Sequence, residues 1–361
     1  MSKILLSGYY GFSNAGDEAM LTAIVDVLAK AVTKKNITVI TGNPKSTSFR
    51  HNVTSIHRFN LFKIIKAMRS SKLLVSGGGS LLQDVTSKKS LYYYLTILFL
   101  AKLLGKKVML YAQGIGPINS TFGRKLTGII CKKVDLITVR DDGSYEELQR
   151  LGIKKENIIV TSDAVFALGK TPESFGDSVL KKYGLRKDKK IIGISVRNWE
   201  NPQRFIREFA IAAEKLKAEH QAQIVFIPMQ FPEDAKISEK VIELMSDKND
   251  VFLLKSDFTT NEYLAIISQM NLVIAMRLHA LVFAALCGVK FLGVSYDPKI
   301  DRFLNSFDGV SIAKIEDIKA KNITEAVCKH INDDLKEQNN RIEKLRLEAH
   351  VNAQRAINLV K

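Results

Sequence analysis

The chain has 361 residues, 46% of them apolar and 25% charged, which is the composition of a soluble globular protein with room for about two domains. Lysine and arginine exceed aspartate and glutamate by 17, so the protein should attract polyanions such as phosphorylated substrates, anionic lipid or nucleic acid. Nucleic acid is disfavoured, because the sequence has no zinc-finger spacing, no aromatic ribonucleoprotein pattern and no helix-turn-helix pattern.

The first half alternates short apolar runs with amphipathic stretches, which is typical of a parallel sheet covered by helices. A helix is predicted over residues 16–31, with Asn14 as its N-cap. The first predicted strand is too short to be the apolar part of a signal peptide, so we expect a cytoplasmic protein. The predicted strands are residues 3–7, 37–41, 72–76, 107–112, 136–139 and 158–161.

Glycine-rich turns follow three of these strands, at residues 8–16, 77–80 and 114–116. Glycine lets a backbone approach a ligand closely, and the amides of a following helix can bind an anion. No turn matches the dinucleotide-binding or P-loop pattern, so a nicotinamide cofactor is only weakly supported. Polar residues in or beside the turns suit a ligand with many hydroxyls. They are Asp17, Glu18, Gln83, Asp84 and Gln113. For Asp17 and Glu18 the alternative is that they only stabilise the dipole of the helix that they begin.

Residues 91–104 form the most apolar run of the chain, yet the run is too short to span a bilayer. We predict a core helix here. The alternative is a docking patch on the cytoplasmic leaflet, made of three tyrosines and Phe99 next to basic residues.

The second half repeats the alternation after a polar segment, residues 171–190, which we interpret as a linker. Predicted strands are residues 190–196, 223–229, 251–255, 272–276 and 290–295, with helices over residues 206–216 and 237–245. We therefore expect an α/β protein with two doubly wound Rossmann-like domains, residues 1–170 and 191–320, facing a cleft. Residues 321–361 predict helices that pack along the outside or, alternatively, lie on a membrane surface.

Basic residues are predicted at strand ends in the second domain. Arg277 and His279 stand where a buried strand turns into an apolar helix, whose first amides and dipole favour an anion. Lys299 follows the next strand, and Arg197 follows the first strand of this domain. Open α/β sheets bind ligands at the carboxyl ends of their strands. Although a solvated arginine is the ordinary alternative, this pattern predicts a site for a ligand with two acidic groups.

The three cysteines, Cys131, Cys287 and Cys328, are widely spaced and odd in number. They predict buried reduced thiols rather than a disulfide framework or a metal cluster. We accordingly expect no metal site.

Six short motifs, in this order, resemble the polysaccharide pyruvyl transferase family. They are Gly11 with Asn14-Ala15-Gly16-Asp17-Glu18, Gly77-Gly78-Gly79-Ser80, Gln113-Gly114-Ile115-Gly116-Pro117, Val139-Arg140-Asp141, Ser195-Val196-Arg197 and Met276-Arg277-Leu278-His279-Ala280. The similarity extends over residues 3–300. It is nearest to the bacterial type that modifies the secondary cell wall polymers used for anchoring surface-layer proteins.

The resemblance implies a GT-B-like fold and an enzyme that moves the pyruvyl group of phosphoenolpyruvate, without a cofactor, onto a sugar as a ketal. It implies a lipid-linked acceptor containing N-acetylmannosamine, and hence an enzyme that acts at the inner face of the membrane and contacts it peripherally. Arg197, Arg277, Leu278 and His279 would form the donor site, joined by Lys299 from its strand-end position. Catalysis would fall to Arg197, Arg277 and His279, with the imidazole as general acid or base. Acceptor-binding candidates are Asn14, Asp17, Glu18, Gly78, Gly79, Gln83, Asp84, Gln113 and Arg140.

One alternative function shares this architecture and a basic diphosphate site. It is a GT-B nucleotide-sugar glycosyltransferase of cell envelope synthesis.

Overall fold

A computed structural model of the protein describes residues 4–169 and 173–360. The chain divides into two compact units, each built on its own parallel sheet. The first unit runs to Leu168 and includes the chain from Glu343 onward, while the second covers Gly169–Ile342.

The first unit has a sheet of seven parallel strands. They are β1 (Ile4–Ser7), β2 (Ile37–Thr41), β3 (Thr54–His57), β4 (Leu73–Gly77), β5 (Lys107–Gln113), β6 (Leu136–Val139) and β7 (Ile158–Val160), in the order β3-β2-β1-β4-β5-β6-β7. In the register, Leu5 of β1 lies between Thr38 of β2 and Leu74 of β4. The strand order reverses between β1 and β4, and open sheets bind ligands at such a switch point.

Helices cover both sides of this sheet. They are α1 (Ala15–Leu28), α2 (Pro44–His51), α3 (Leu61–Ser70), α4 (Lys88–Leu103), α5 (Thr121–Cys131) and α6 (Asp142–Arg150). Asn14 caps α1 as predicted, because its side chain accepts from the amides of Gly16 and Asp17. The core helix predicted over residues 91–104 is confirmed as α4, in which Leu91 and Tyr94 are buried.

The second unit has a sheet of six parallel strands. They are β8 (Ile191–Ser195), β9 (Gln223–Phe226), β10 (Val251–Leu253), β11 (Leu272–Ala275), β12 (Lys290–Ser295) and β13 (Val310–Lys314), in the order β10-β9-β8-β11-β12-β13. Helices of this unit are α7 (Glu173–Tyr183), α8 (Pro202–His220), α9 (Glu233–Glu243), α10 (Thr260–Ile267), α11 (Leu278–Leu286), α12 (Pro298–Ser306) and α13 (Ala320–His330). Its core joins buried residues of α8, α9 and α13 to the strands.

Two segments differ in detail from their sequence-based predictions. The predicted linker, residues 171–190, contains α7, and its first two residues lie outside the described part of the chain. The predicted C-terminal helices are α13 and α14 (Lys336–Asn358). Early in α14, Gln338 donates to the carbonyl of Val289 at 3.3 Å, whereas the carbonyl of Leu345 accepts from Ser162 at 2.6 Å. Among the described residues, no helix is both long and apolar enough to cross a bilayer.

Candidate functional site

Basic side chains lie together at the carboxyl edge of the second unit's sheet. Arg197 follows β8, Arg277 follows β11, and Lys299 lies in the first turn of α12, directly after β12. Because β11 pairs in parallel with both β8 and β12, these three strands end side by side. The topology therefore brings these three predicted site residues to one edge of one sheet.

An aromatic ring joins two of these cations. Arg197 donates from Nη1 to the hydroxyl of Tyr296 at 2.6 Å, and its guanidinium carbon lies 4.6 Å from the centroid of the Tyr296 ring. The same guanidinium carbon lies 5.2 Å from the ring centroid of Trp199. Lys299 Nζ lies 5.6 Å from the Tyr296 centroid and 3.3 Å from the carboxylate of Asp297. These contacts restrict the directions of both cations, which remain half-buried and so accessible to an anion from solvent.

Arg277 is paired with a carboxylate that was not predicted to belong to the site. Its Nε and Nη2 donate to the two oxygens of Asp234 at 2.9 and 2.6 Å, and Nη2 also donates to Gln230 at 3.1 Å. Asp234 is fully buried and accepts two further hydrogen bonds from the amides of Met229 and Gln230. The carboxylate thus balances the charge of Arg277 and fixes the plane of its guanidinium group. Donor binding by Arg277 stays a prediction.

Leu278 and His279 occupy the first turn of α11, and both are half-buried. The N-cap residue, Arg277, makes no side-chain hydrogen bond to the amides of this turn. The positive end of the helix dipole and the imidazole, when protonated, both favour an anion beside the turn. This position is compatible with the two roles predicted for His279, an anion ligand and a general acid or base, and both roles stay predictions.

In the first unit, the glycine turn after β4 is held by Gln113. This side chain is buried, and its Nε2 donates to the carbonyls of Gly78 and Gly79 at 3.2 and 3.1 Å. Both glycines have positive φ, at 78° and 68°. A Cβ on Gly78 would lie 2.9 Å from Met20, so both the backbone conformation and the packing require glycine there. Gln113 therefore supports the turn from inside the protein.

Glu18 also has a structural task. Its carboxylate accepts from the amide of Gly11 at 2.7 Å and contacts Nε2 of His51 at 3.1 Å. Both side chains of this pair are buried. Glu18 and His51 therefore fix the turn that follows β1, and His51 was not among the predicted residues.

Asp84 bridges two loops at the same edge of this sheet. Its carboxylate accepts from the amides of Asn119 and Ser120 at 2.7 and 2.8 Å. Burial acts to raise the pKa of Asp84, but the hydrogen bonds from these two residues outweigh it and hold the pKa below its ordinary value. Next to it, Gln83 accepts from the amide of Thr86 at 3.1 Å.

Arg140 bonds within the protein as well. Its Nη1 donates to Asp163 and its Nη2 to Ser80, each at 3.1 Å, and its Nε lies 3.5 Å from Asp141. The side chain is 8% exposed. Arg140 thus joins the end of β6 to the glycine turn after β4.

The remaining acceptor candidate, Asp17, lies beside the glycine turn after β4. Asp17 is half-buried, and its Oδ1 lies 3.0 Å from the point that a Cβ on Gly79 would occupy. Nearby in sequence, the half-buried rings of Tyr9 and Phe12 stack with centroids 4.3 Å apart. These two aromatic residues were not predicted to belong to the site.

Comparison with known proteins identifies the family. The sequence model described as polysaccharide pyruvyl transferase matches residues 14–298 of the chain. The chain belongs to the polysaccharide pyruvyl transferase family. As a pyruvyl transferase it is a transferase enzyme, which confirms the resemblance stated from the motifs. The amylovoran biosynthesis protein AmsJ of Erwinia amylovora is 22% identical over 348 residues, covering 82% of this chain and 84% of AmsJ.

Solved structures similar to this pyruvyl transferase include S. aureus MnaA with UDP, at 14% identity and a TM-score of 0.69, covering 99% of this chain and 95% of that one. Anabaena Alr3699/HepE with UDP-glucose has 14% identity and a TM-score of 0.64, with 98% of each chain covered. The UDP-GlcNAc 2-epimerase of Neisseria meningitidis has 13% identity and a TM-score of 0.62, also with 98% of each chain covered. At such identities the likeness shows the fold alone, and it confirms the predicted GT-B-like architecture of two Rossmann-like sheets.

One group in this pyruvyl transferase has side chains that metals bind, although the sequence predicted no such cluster. Cys328 Sγ lies 3.7 Å from both Glu219 Oε2 and His220 Nε2. Glu219 and His220 end α8, so they lie at the edge of the sheet opposite to the basic residues. The prediction of buried thiols holds for Cys131 but is wrong for Cys328, which is exposed, and for Cys287, which is half-buried.

Proposed function

We propose that this enzyme transfers the pyruvyl group of phosphoenolpyruvate, in the cytoplasm, to N-acetylmannosamine in a lipid-linked precursor of a surface-layer-anchoring cell wall polymer. The product is a pyruvate ketal, and phosphate is released. The proposal rests on the arrangement of Arg197, Lys299 and His279 at adjacent strand ends and at the start of α11. Phosphoenolpyruvate carries a phosphate and a carboxylate, the two groups that guanidinium and ammonium side chains bind.

The reaction proceeds in two additions. Protonation of the methylene carbon gives an oxocarbenium-like centre at C2, to which the first acceptor hydroxyl adds with loss of its proton. Phosphate then departs with the bridging oxygen, and the second hydroxyl closes the ketal with loss of its proton. One proton enters at the methylene carbon and two leave from the hydroxyls, and the departing phosphate takes up the second as hydrogen phosphate, so the protons balance. The scheme uses no metal ion or other cofactor.

Each charged group of the second unit has a role in this scheme. His279 delivers the proton to the methylene carbon as general acid. Arg197 and Lys299 bind the phosphate and the carboxylate, and they stabilise the charge that moves onto the departing phosphate. Arg277, held by Asp234, contributes a fixed hydrogen-bond donor to the same phosphoenolpyruvate molecule.

In the first unit, Asp17 orients the acceptor hydroxyls or accepts a proton from them. The stacked rings of Tyr9 and Phe12 offer an apolar surface to the sugar ring. Five of the predicted acceptor residues support this surface indirectly, through the hydrogen bonds that hold the turns. They are Asn14, Glu18, Gln113, Asp84 and Arg140.

The direct test combines the purified enzyme, phosphoenolpyruvate and a synthetic lipid analogue that ends in N-acetylmannosamine linked to N-acetylglucosamine. Phosphate release should match the appearance of an acceptor with the mass of one added pyruvate ketal. His279→Ala should lower the rate by about 100-fold, the contribution typical of a general acid. His330→Ala, in the same unit but on α13, is the matched control and should keep the rate. Full activity of His279→Ala would remove its role, and phosphate release without acceptor modification would overturn the reaction.

The nucleotide-sugar alternative is tested by thermal stabilisation, because a ligand stabilises the folded state that binds it. Phosphoenolpyruvate should raise the melting temperature, and Arg197→Ala should abolish the shift. Stabilisation by UDP-sugars with none by phosphoenolpyruvate would favour the glycosyltransferase reading instead.

A further inference from the structure

The positive charge of the chain is concentrated in one stretch of the first unit. Residues 27–134 contain 19 of the 54 lysines and arginines but one of the 37 acidic residues, Asp84. This stretch alone accounts for the whole excess of 17. Asp84 is bonded to the amides of Asn119 and Ser120, so its carboxylate is directed into the protein.

Three helices of this stretch, α3, α4 and α5, cover one side of the sheet. Their inward side chains share a single core with the strands, and they include Ile64, Leu95 and Ile130. The rings of Tyr92 and Phe122 join α4 to α5, with centroids 5.9 Å apart. Lys106, after the end of α4, donates to the carbonyl of Arg69 on α3 at 2.8 Å. The three helices therefore form one continuous outer surface, which we call the helix face.

The helix face combines large apolar side chains with cations. Helices α3, α4 and α5 contain no aspartate or glutamate. The exposed cations on these helices include Lys66, Arg69 and Lys125. The exposed apolar side chains are Leu61 at 54%, Phe62 at 79%, Phe99 at 46%, Leu103 at 69%, Phe122 at 65% and Ile129 at 48%.

The tyrosines contribute less to this surface than the docking-patch alternative for residues 91–104 predicted, although the half-buried Tyr92 has its ring against the exposed Phe122. Tyr94 is 2% exposed, and the hydroxyl of Tyr93 donates to the carbonyl of Arg58, in the segment between β3 and α3, at 3.1 Å. Phe99 is the one residue of that earlier patch that is exposed on the helix face.

A single exposed apolar side chain is ordinary, but several of them on the same helices as the exposed Lys66, Arg69 and Lys125 match a partner that is both apolar and negative. A bilayer with anionic headgroups has both properties. A second copy of this face would meet its own positive charge, and a nucleic acid would leave the phenylalanines in water. Charge and apolar character together therefore select the lipid surface.

The helix face also extends to the carboxyl edge of the sheet. Phe122 lies in the first turn of α5, and Val85, 61% exposed, directly follows Asp84 in the loop before α4. These residues lie at the edge where the glycine-rich turns occur. An apolar surface that reaches this edge would bring those turns close to the headgroups.

We propose that the helix face of the first unit binds an anionic bilayer as a peripheral membrane surface. Binding is measured without substrates, so this inference stands apart from the proposed reaction. If the enzyme failed to transfer pyruvyl groups, the proposed membrane surface would still stand. If the protein failed to bind lipid, the proposed reaction would still stand.

The test is co-sedimentation of the full chain with vesicles of phosphatidylcholine containing phosphatidylglycerol, compared with phosphatidylcholine alone. A triple variant that replaces three exposed cations, Lys66→Gln with Arg69→Gln and Lys125→Gln, should bind the vesicles about 100-fold more weakly. Each cation near an anionic surface contributes about a fivefold factor to the affinity. Phe62→Ser with Phe99→Ser and Phe122→Ser should weaken it by about tenfold or more.

Phe49→Ser is the matched control. Phe49 is 91% exposed on α2, whose His51 contacts Glu18 of α1 rather than the helix face. This variant should bind vesicles like the unchanged protein. The proposal would be overturned if the control lost as much binding as the triple variants, or if the unchanged protein did not bind anionic vesicles at low ionic strength. It would also be overturned if both triple variants bound as tightly as the unchanged protein. A concentration-dependent dimer that the phenylalanine variants abolish, seen by sedimentation velocity, would assign the face to a second copy and overturn it as well.

Discussion

The buried pair of Arg277 and Asp234 gives a quantitative test of how the second unit's site is built. Asp234 is 0% exposed, the Arg277 side chain is 14% exposed, and two hydrogen bonds join them. Removing one partner leaves a charge without compensation in a region of low dielectric, which costs about 3–5 kcal/mol. We expect Asp234→Ala and Arg277→Ala each to lower the free energy of unfolding by that amount. The double variant should lose much less than the sum, with a coupling energy of about 3 kcal/mol.

Urea unfolding of the two single variants and the double variant measures this coupling. Trp199, the chain's one tryptophan, belongs to the second unit and lies beside Arg197, so its fluorescence follows the unit in question. The exposed pair of Lys255 and Glu239 serves as the control, because its 2.7 Å separation is nearly that of the buried pair while both side chains are solvated. Its coupling should stay below about 1 kcal/mol.

A coupling energy below about 1 kcal/mol for Arg277 and Asp234 would refute the reasoning. It would mean that the carboxylate does not hold the guanidinium in solution. Arg277 would then count as a mobile cation, and the balance of charge derived for the strand ends would no longer apply.

Three other predictions follow from single positions. Gly78→Ala should lower the free energy of unfolding of the first unit by about 1–3 kcal/mol, as measured from urea midpoints. Gly105→Ala should cost less, because Gly105 also has positive φ but has no atom within 4 Å of an added Cβ. Asp84 has a lowered pKa, so its carboxylate stabilises the fold above the unfolded pKa of about 3.9 and loses this effect as the pH falls toward the folded value. The stability difference between the unchanged protein and Asp84→Asn should therefore be smaller at acidic pH than at neutral pH; an equal difference at both would contradict the assignment. Arg197→Lys should raise the KM for phosphoenolpyruvate by about tenfold in the phosphate-release assay, since the ammonium loses the two-point contact, while Tyr296→Phe should raise it less.

The inner strands that the sequence predicted are buried, and two of the four edge strands, β7 and β10, were predicted as well. Leu136–Val139 and Lys290–Ser295 match their predicted bounds, because a continuous apolar run identifies an inner strand of a parallel sheet. The two strands that were missed, Thr54–His57 and Val310–Lys314, lie at sheet edges and are largely exposed or half-buried. An edge strand needs no such run. The edge strands β7 and β10 have a short apolar run and were predicted, whereas the two that were missed are interrupted by polar residues.

The site was predictable to the extent that it depends on topology. Alternating strands and helices imply that Arg197, Arg277 and Lys299 share a sheet edge. The partner of Arg277 was not predictable in this way, because Asp234 is 43 residues away in the chain. Asp234 also lies in the first turn of α9, where an acidic residue ordinarily serves to stabilise the helix dipole. Most of the first unit's acceptor candidates have internal partners for a similar reason. Polar side chains beside glycine turns satisfy backbone groups before they can serve a ligand.

The Arg277 pairing changes which residues must recognise the dianion. Because Asp234 balances the charge of Arg277, the net positive charge at the strand ends comes from Arg197 and Lys299. The charge of Lys299 is in turn partly balanced by Asp297, whose carboxylate lies 3.3 Å from its Nζ. Among the described residues, no carboxylate pairs with Arg197, whose guanidinium lies over aromatic rings that leave its charge in place while limiting its orientation. Within the proposed reaction, Arg197 therefore supplies charge and Arg277 supplies a fixed direction. Substitution of Arg197 should accordingly affect donor affinity in a salt-dependent manner, whereas substitution of Arg277 should affect stability first.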